Sequence, residues 1–274
     1  MSDTLVIDVE TKKIFDEVGG EKNIRELGIS VAGVYSYGAD AFSAFEEHEL
    51  GKLAEMVKNA GHVIGFNINH FDIPVMEPYL GDGSFAKISV TDLFEEVTRF
   101  LGHRVSLQAL VKVTLKASKS GHGLEALKWF REGRVEEVKK YCLDDVRLTR
   151  DLYEYGKKNG HVLFESNRDG SIRSVPVSWG KEIKQPVAGI LEEALSGRRR
   201  LAIEYISSSD SDGLGFRKSR LIDVYRIKPN GEIEAFCHLR NGVRIFRMNR
   251  IARAELTAGT YAIPSDVQGS LFTR

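Results

Sequence analysis

The first part of the chain begins with an apolar run that is interrupted by acidic residues. Residues 4–10 have the pattern of a buried strand whose last residues emerge at the edge of a sheet. Residues 24–37 and 41–45 are rich in β-branched, aromatic and small side chains. Together these segments predict a three-stranded meander.

The pattern then changes to apolar positions spaced three to four residues apart, which predicts helices. Such spacing occurs in residues 48–60 and most clearly in residues 135–155. Short apolar strands are predicted at 62–66 and 87–90. This order of elements favours a mixed α/β sheet with helices packed on its faces.

The second part of the chain returns to short strands. A hairpin is predicted over residues 161–177 and a helix over 187–195, followed by strands separated by turn signals such as Asn241-Gly242. The predicted strands are residues 201–206, 219–227, 233–239 and 243–249. We therefore expect a small β-barrel or sandwich after the α/β part.

These patterns divide the chain of 274 residues into a domain at 1–160, a hairpin and linker at 161–186, and a β-barrel domain at 187–274. The first 185 residues are net acidic and the remainder is net basic, mostly through arginine. This asymmetry indicates two units with different tasks or two ordinary solvated surfaces.

Composition excludes several classes of protein. No run of 18 or more apolar residues occurs and no signal-like segment opens the chain, so we expect a cytoplasmic protein without a membrane partner. Cys142 and Cys237 lie far apart and outside metal-type spacing, which disfavours a disulfide or zinc site.

Acidic residues recur at the ends of predicted elements. Asp8 and Glu10 lie two apart on a strand and therefore point to one side, where a cation would relieve their repulsion. Asp72 follows a strand and begins a helix, where it could also be a helix cap. Tyr141 and Asp145 lie one turn apart on the predicted helix. Helix geometry alone does not choose between Asp145 and its neighbour Asp144.

Three segments carry a family resemblance: residues 7–11 (Ile-Asp-Val-Glu-Thr), residues 67–72 (Asn-Ile-Asn-His-Phe-Asp) and Tyr141-x-x-x-Asp145. They resemble the three exonuclease motifs of the DEDD superfamily, in the subclass whose third motif carries tyrosine. Residues Gly121-His-Gly123 and Lys128-Trp-Phe130 are similar to the same region of the ribonuclease-H-like exonucleases.

This resemblance implies a ribonuclease-H-like mixed sheet and a 3′→5′ exonuclease. It implies Asp8, Glu10, Asp72 and Asp145 as metal ligands and Tyr141 as the residue that orients water, and it favours Asp145 over Asp144. A cluster of carboxylates suits two Mg²⁺ or Mn²⁺ ions, because hard cations prefer oxygen ligands. Asn67 and Phe71 are candidate contacts to the terminal nucleotide, Phe71 by stacking.

The basic part carries a second resemblance. Residues 201–205, 235–240 and especially Arg244-Ile-Phe-Arg-Met-Asn-Arg-Ile251 are similar to the WYL domain, a small SH3- or Sm-like β-barrel. The name-giving tripeptide is absent, since Tyr205 is flanked by Glu204 and Ile206. The resemblance implies binding of single-stranded nucleic acid or a nucleotide-like ligand. The candidate contacts are Tyr205, Arg240, Arg244, Arg247 and Arg250, because guanidinium groups beside aromatic rings suit phosphates and stacked bases.

The sequence thus predicts a metal-dependent 3′→5′ exonuclease that acts on single-stranded DNA or RNA with a free 3′ end and uses two-metal-ion hydrolysis. The alternative is a catalytically silent regulatory protein that senses nucleic acid or a nucleotide. The complete set of four carboxylates and one tyrosine favours the enzyme.

Overall fold

A computed structural model describes residues 2–117, 123–166, 168–180, 187–208 and 216–264 of the chain. Its backbone divides into two compact units, Met1–Tyr155 and Gly156–Arg274. The predicted domain boundaries at residues 160 and 186 stay predictions. The Gly121-His122 part of the predicted third-motif region lies outside the described residues.

The first unit contains a five-stranded mixed sheet in the order β3-β2-β1-β4-β5. Its strands are β1 (Asp3–Thr11), β2 (Ile29–Ser36), β3 (Ala41–Glu46), β4 (Ala60–Gly65) and β5 (Ser89–Asp92). The meander β1-β2-β3 is antiparallel, whereas β4 and β5 run parallel to β1. The predicted strand at 24–37 begins later than expected, because residues Glu21–Glu26 form a 3₁₀ helix and Gly28 has a positive φ of 68°.

Helices flank this sheet. They are α1 (Leu50–Lys58), α2 (Asp72–Leu80), α3 (Leu93–Leu101), α4 (Leu107–Thr114), α5 (Gly123–Arg131) and α6 (Val135–Asn159). This arrangement confirms the predicted mixed α/β sheet with flanking helices. Among the described residues, no helix is long and apolar enough to cross a membrane.

Helix α6 approaches β2 at a glycine. A Cβ atom at Gly33 would lie 2.8 Å from Cys142 Sγ and 3.0 Å from Val146 Cγ2, which is too close for any other residue without a shift. Gly33 is the register partner of Asp8 on β1. The glycine therefore allows α6 to pack beside the acidic end of β1.

In its described residues, the second unit contains a hairpin, a helix and an antiparallel sheet. The elements are β6 (His161–Glu165), β7 (Ile172–Pro176), α7 (Val187–Gly197), β8 (Arg199–Ile206), β9 (Arg217–Ile227), β10 (Glu232–Cys237), β11 (Gly242–Arg247) and β12 (Ile251–Thr260). Leu191 and Ala194 of α7 are fully buried in the core of this sheet.

Two expectations for this unit need correction. The sheet has the order β11-β10-β9-β8-β12, so β11 and β12 are its edges and the described strands form an open sheet instead of a closed barrel. Strand β12 was not predicted. Its sequence, rich in alanine, threonine and charged residues, carries little apolar alternation, and its pairing with β8 defines it instead.

Candidate functional site

Two elements of the first unit bring three carboxylates together. Asp8 and Glu10 are half-buried on β1, and Asp145 is buried on α6. One oxygen of each carboxylate lies within 4.8 Å of the oxygens of the other two. The structure thus brings together residues that are separated by most of the first unit's sequence.

Asp72 lies beside this cluster at the start of α2. Its side chain is 3% exposed, and its Oδ1 accepts a hydrogen bond of 2.9 Å from the backbone N–H of Val9. Burial raises the pKa of Asp72 to about 7, the Val9 hydrogen bond opposes this rise, and the carboxylates of Asp92 and Asp145 add to it. Asp72 is outside the group of three oxygens, but it lines the same pocket.

Tyr141 also lines the pocket. Burial raises the pKa of its phenol, and the charges of Asp145, Glu10 and Asp8 raise it further. The phenol therefore keeps its proton at neutral pH, where it is a hydrogen-bond donor and not a base.

Cys142 was not predicted as part of the site. Its buried thiol lies 3.3 Å from the backbone oxygen of Asp8 and 3.6 Å from Asp8 Oδ2, within reach as a weak donor. Burial, followed by the charge of Asp8, raises the pKa of this thiol. Its position directly after Tyr141 could have indicated a place in the site. Its place among the regularly spaced apolar residues of α6, however, predicts only a core residue.

The structure distinguishes the two neighbouring acids on α6. Asp144 Oδ1 accepts hydrogen bonds of 3.2 and 2.5 Å from Nε and Nη2 of Arg147, one turn away. Asp145 instead lines the pocket with Asp8 and Glu10. The choice of Asp145 as a metal ligand, which the motif resemblance implies, stays a prediction.

The pocket has a volume of about 500 Å³ and combines an acidic floor with apolar walls. Asn67 and Phe71, the two predicted nucleotide contacts, both line it. The ring of Phe71 meets that of Phe15 edge to face, with centroids 6.2 Å apart. The walls also include Ile14, Phe15, Phe66, Leu124 and Leu127, which were not predicted. Leu124 is 73% exposed.

The donor set fits a hard divalent cation. All the clustered ligand atoms are carboxylate oxygens, which Mg²⁺ and Mn²⁺ prefer, and sulfur is present only as the protonated Cys142 thiol. Burial is the main cause of the raised pKa of Asp72, and repulsion by the charges of Asp92 and Asp145 adds to it. Positive charge at this point would relieve the repulsion.

The arginines predicted to bind nucleic acid in the second unit are divided between surfaces. Arg240, Arg244 and Arg247 are exposed. Arg244 and Arg247 both lie on β11, and a spacing of three places them on opposite faces of the strand. Arg247 shares its face with Val243 and Ile245, which are 43% and 60% exposed, whereas Phe246 on the Arg244 face is buried.

Arg250 and Tyr205 make contacts within the unit. The guanidinium of Arg250 donates to the backbone oxygens of Ile206 (3.0 Å) and Ser174 (3.3 Å). The Tyr205 hydroxyl accepts from the backbone N–H of Arg247 at 3.3 Å, and its ring packs against Phe246. These contacts describe structural roles, and the predicted roles of both residues as nucleic-acid ligands stay predictions.

Sequence reasoning also missed two buried cations on β9. Lys218 and Arg220 are 7% and 8% exposed, and their spacing of two places them on one face. Nη1 of Arg220 is buried and has no hydrogen-bond partner in the described part of the chain. Residues 217–220 (Arg-Lys-Ser-Arg) are all polar, so the sequence does not indicate that Lys218 and Arg220 are buried.

Comparison with known families finds a match in the second unit. The family model of the WYL domain matches residues 186–256 and thus confirms the predicted resemblance for this part of the chain. The match covers well under half of the chain and does not include the acidic pocket. Among solved structures, the chain is similar to "Proteasome accessory factor B/C (PafBC) of Arthrobacter aurescens".

That similarity has 22% sequence identity, covers 58% of this chain and has a TM-score of 0.23. The chain spans about a fifth of the length of that protein, since 21% of it is covered. No curated protein matches the chain.

Proposed function

We propose that the chain is a metal-dependent 3′→5′ exonuclease that hydrolyses a phosphodiester at the 3′ end of single-stranded nucleic acid. The observation that carries this proposal is the approach of Asp8, Glu10 and Asp145 to within 4.8 Å of one another. Asp72 and Tyr141 line the same pocket. Hard oxygen ligands at this density are typical of sites for divalent cations.

Each side chain of the pocket has a role in this proposal. Asp8, Glu10, Asp72 and Asp145 would hold two Mg²⁺ or Mn²⁺ ions, which when bound supply activation of water and stabilisation of the departing oxygen. Tyr141 keeps its proton and orients the attacking water by hydrogen bonding. Phe71 and its neighbour Phe15 offer an apolar wall to the terminal base, and Asn67 offers an amide.

The second unit would bind the substrate strand or a nucleotide-like ligand. Its exposed arginines and its WYL match favour this role. Arginine binds phosphate well because its planar fork presents several donors.

The experiment follows hydrolysis of a single-stranded oligonucleotide labelled at either end, as DNA and as RNA, with Mg²⁺ or Mn²⁺. We expect a 5′-labelled strand to shorten stepwise and a 3′-labelled strand to release its label first. Asp145→Asn should lower kcat/KM on the order of 10³-fold. Asp144→Asn is the matched control, because Asp144 pairs with Arg147, and it should retain activity.

If Asp144→Asn lost activity and Asp145→Asn kept it, the assignment of the third motif would be wrong. A wild-type protein without activity on any of these strands would overturn the exonuclease.

A second candidate function is a non-catalytic regulator that senses nucleic acid or a nucleotide. The comparisons support it more directly than the enzyme, because the family match lies on residues 186–256 and not on the acidic pocket. The same experiment separates the two candidates. A slower-migrating complex without shortened products, unchanged by Asp145→Asn, would support the regulator.

A further inference from the structure

Asp92 is a buried carboxylate that neither the motifs nor the acidic cluster includes. It is the last residue of β5, it pairs in register with Gly65 of β4, and it is 6% exposed. Its two oxygens accept hydrogen bonds from four backbone N–H groups. These groups belong to two different segments of the chain.

Two of these bonds cap a helix. Asp92 Oδ1 accepts from the N–H of Phe94 at 3.0 Å and from that of Glu95 at 3.3 Å, at the start of α3. Capping of this kind needs one acceptor atom only, as Ser106 shows at the start of α4, where its hydroxyl accepts from Ala109.

The other two bonds hold the loop between β4 and α2. Asp92 Oδ1 accepts from the N–H of Asn67 at 2.9 Å, and Oδ2 accepts from the N–H of Asn69 at 3.1 Å. Asn67 has a φ of 66°, in the left-handed region that asparagine adopts at some cost. A buried carboxylate that accepts from this segment can offset that cost and fix the loop.

This loop carries the far wall of the pocket. Asn67 and Phe71 line it, and the loop leads directly into Asp72 at the start of α2. The backbone oxygen of Asn67 accepts hydrogen bonds from the N–H groups of His70 and Phe71. The position of Asn67 therefore influences the positions of these two residues. Asp92 thus holds the backbone of the loop whose side chains, Asn67 and Phe71, line the pocket.

We propose that Asp92 is a positioning residue, which fixes residues 66–71 so that Asn67 and Phe71 meet the terminal nucleotide and Asp72 meets the other acids. This inference rests on the proposed exonuclease function. It adds a residue that contacts neither substrate nor metal yet sets the geometry of the nucleotide subsite.

Asp92→Asn keeps the α3 cap and the bond from Asn67, which are both on Oδ1, and removes the loop bond from Asn69 to Oδ2. An asparagine oxygen in place of Oδ1 keeps the α3 cap, while the amide nitrogen in place of Oδ2 cannot accept from Asn69. Two measurements follow: amide hydrogen exchange by NMR, and steady-state hydrolysis of a single-stranded oligonucleotide.

We expect the Asn69 amide to exchange at least about tenfold faster in Asp92→Asn, while the Phe94 and Glu95 amides keep their protection. We expect kcat to fall about tenfold and KM to change less than about twofold, because misplacement of the terminal nucleotide affects the reacting geometry more than the binding of the strand. Ser106→Ala is the matched control, since it removes a helix cap away from the pocket, and it should leave kcat unchanged.

Unchanged exchange at Asn69 would show that the Oδ2 bond does not hold the loop and would overturn the inference. Faster exchange with an unchanged kcat would show that the loop does not position the substrate, and would leave the exonuclease intact. Equal losses of kcat in Asp92→Asn and Ser106→Ala would reduce the effect to lost stability and would overturn the inference. An inactive wild type would overturn the proposed function together with this inference.

Discussion

Among the described residues, the first unit buries acidic side chains, whereas the second buries cations as well as an acid. In the described part of the first unit, the buried charged side chains are Asp72, Asp92 and Asp145. In the second unit, Lys218 and Arg220 are buried, together with Asp223. Burial of charge is costly, so each set needs an explanation.

Asp223 shows how a buried charge is satisfied within the protein. Its Oδ1 accepts from Arg200 Nε at 2.7 Å, and its Oδ2 lies 2.9 Å from His238 Nε2. Nη1 of Arg220 has no hydrogen-bond partner among the described residues, and Asp72 retains a raised pKa beside other acids. Asp72 in the first unit and Arg220 in the second are thus less fully compensated than Asp223.

The largest effect that tests the contrast between the buried charges of the two units is expected at Asp72. Its pKa in the folded protein is about 7, against an ordinary value of 3.8. Between these values the unfolded chain releases the proton and the folded chain keeps it, so the free energy of unfolding falls as pH rises from about 4 to about 7. The loss should be on the order of a few kcal/mol in metal-free protein.

Urea unfolding of metal-free protein across this pH range measures the loss. Asp72→Asn should flatten the profile, and added Mn²⁺ should flatten it in the wild type, because positive charge lowers the pKa of the acid. The exposed Asp16 provides a control, since Asp16→Asn should preserve the wild-type slope. A profile that is already flat in the metal-free wild type contradicts the raised pKa.

A smaller effect is expected at Arg220. Arg220→Met removes a buried guanidinium and keeps much of its apolar volume, so the free energy of unfolding should rise by about 1 kcal/mol in ligand-free protein. Arg226→Met, at an exposed position of the same strand, should change it by less than about 0.5 kcal/mol. Thermal unfolding of the three proteins measures both values.

Destabilisation by Arg220→Met, greater than that by Arg226→Met, would show that the guanidinium is satisfied within the fold. The contrast between the two units would then rest on the acids alone.

The sequence was most informative where a local pattern and a motif coincide. Asp8 and Glu10 lie on a strand and Tyr141 and Asp145 on one helix face, so periodicity placed each pair correctly. Convergence of the two pairs depends on Gly33, which allows α6 to approach β2, and no local pattern contains that information. The motif resemblance of residues 7–11, 67–72 and 141–145 predicts this convergence, and the exonuclease family itself stays a prediction.

Other features depended on tertiary structure alone. Phe15 and Leu124 line the pocket from segments that the motifs do not include. The predicted barrel rested on strand spacing, which does not determine whether two edge strands meet, and β12 is defined by its pairing with β8. Arg244 and Arg247 lie on opposite faces of β11, because they are three residues apart on a strand, where a shared face requires a spacing of two or four.

The smallest expected effect, and the most selective one, concerns Arg244 and Arg247 on the two faces of β11. If the second unit binds single-stranded nucleic acid through one face of β11, only one of the two arginines contacts phosphate. We expect it to be Arg247, because the exposed Val243 and Ile245 on its face offer apolar surface to bases. Arg247→Ala should weaken binding of a single-stranded oligonucleotide about threefold and lower the slope of log affinity against log salt by about 0.7. Arg244→Ala should leave both values unchanged in the same titration, and equal effects of the two substitutions would show that the strand does not bind to a single face.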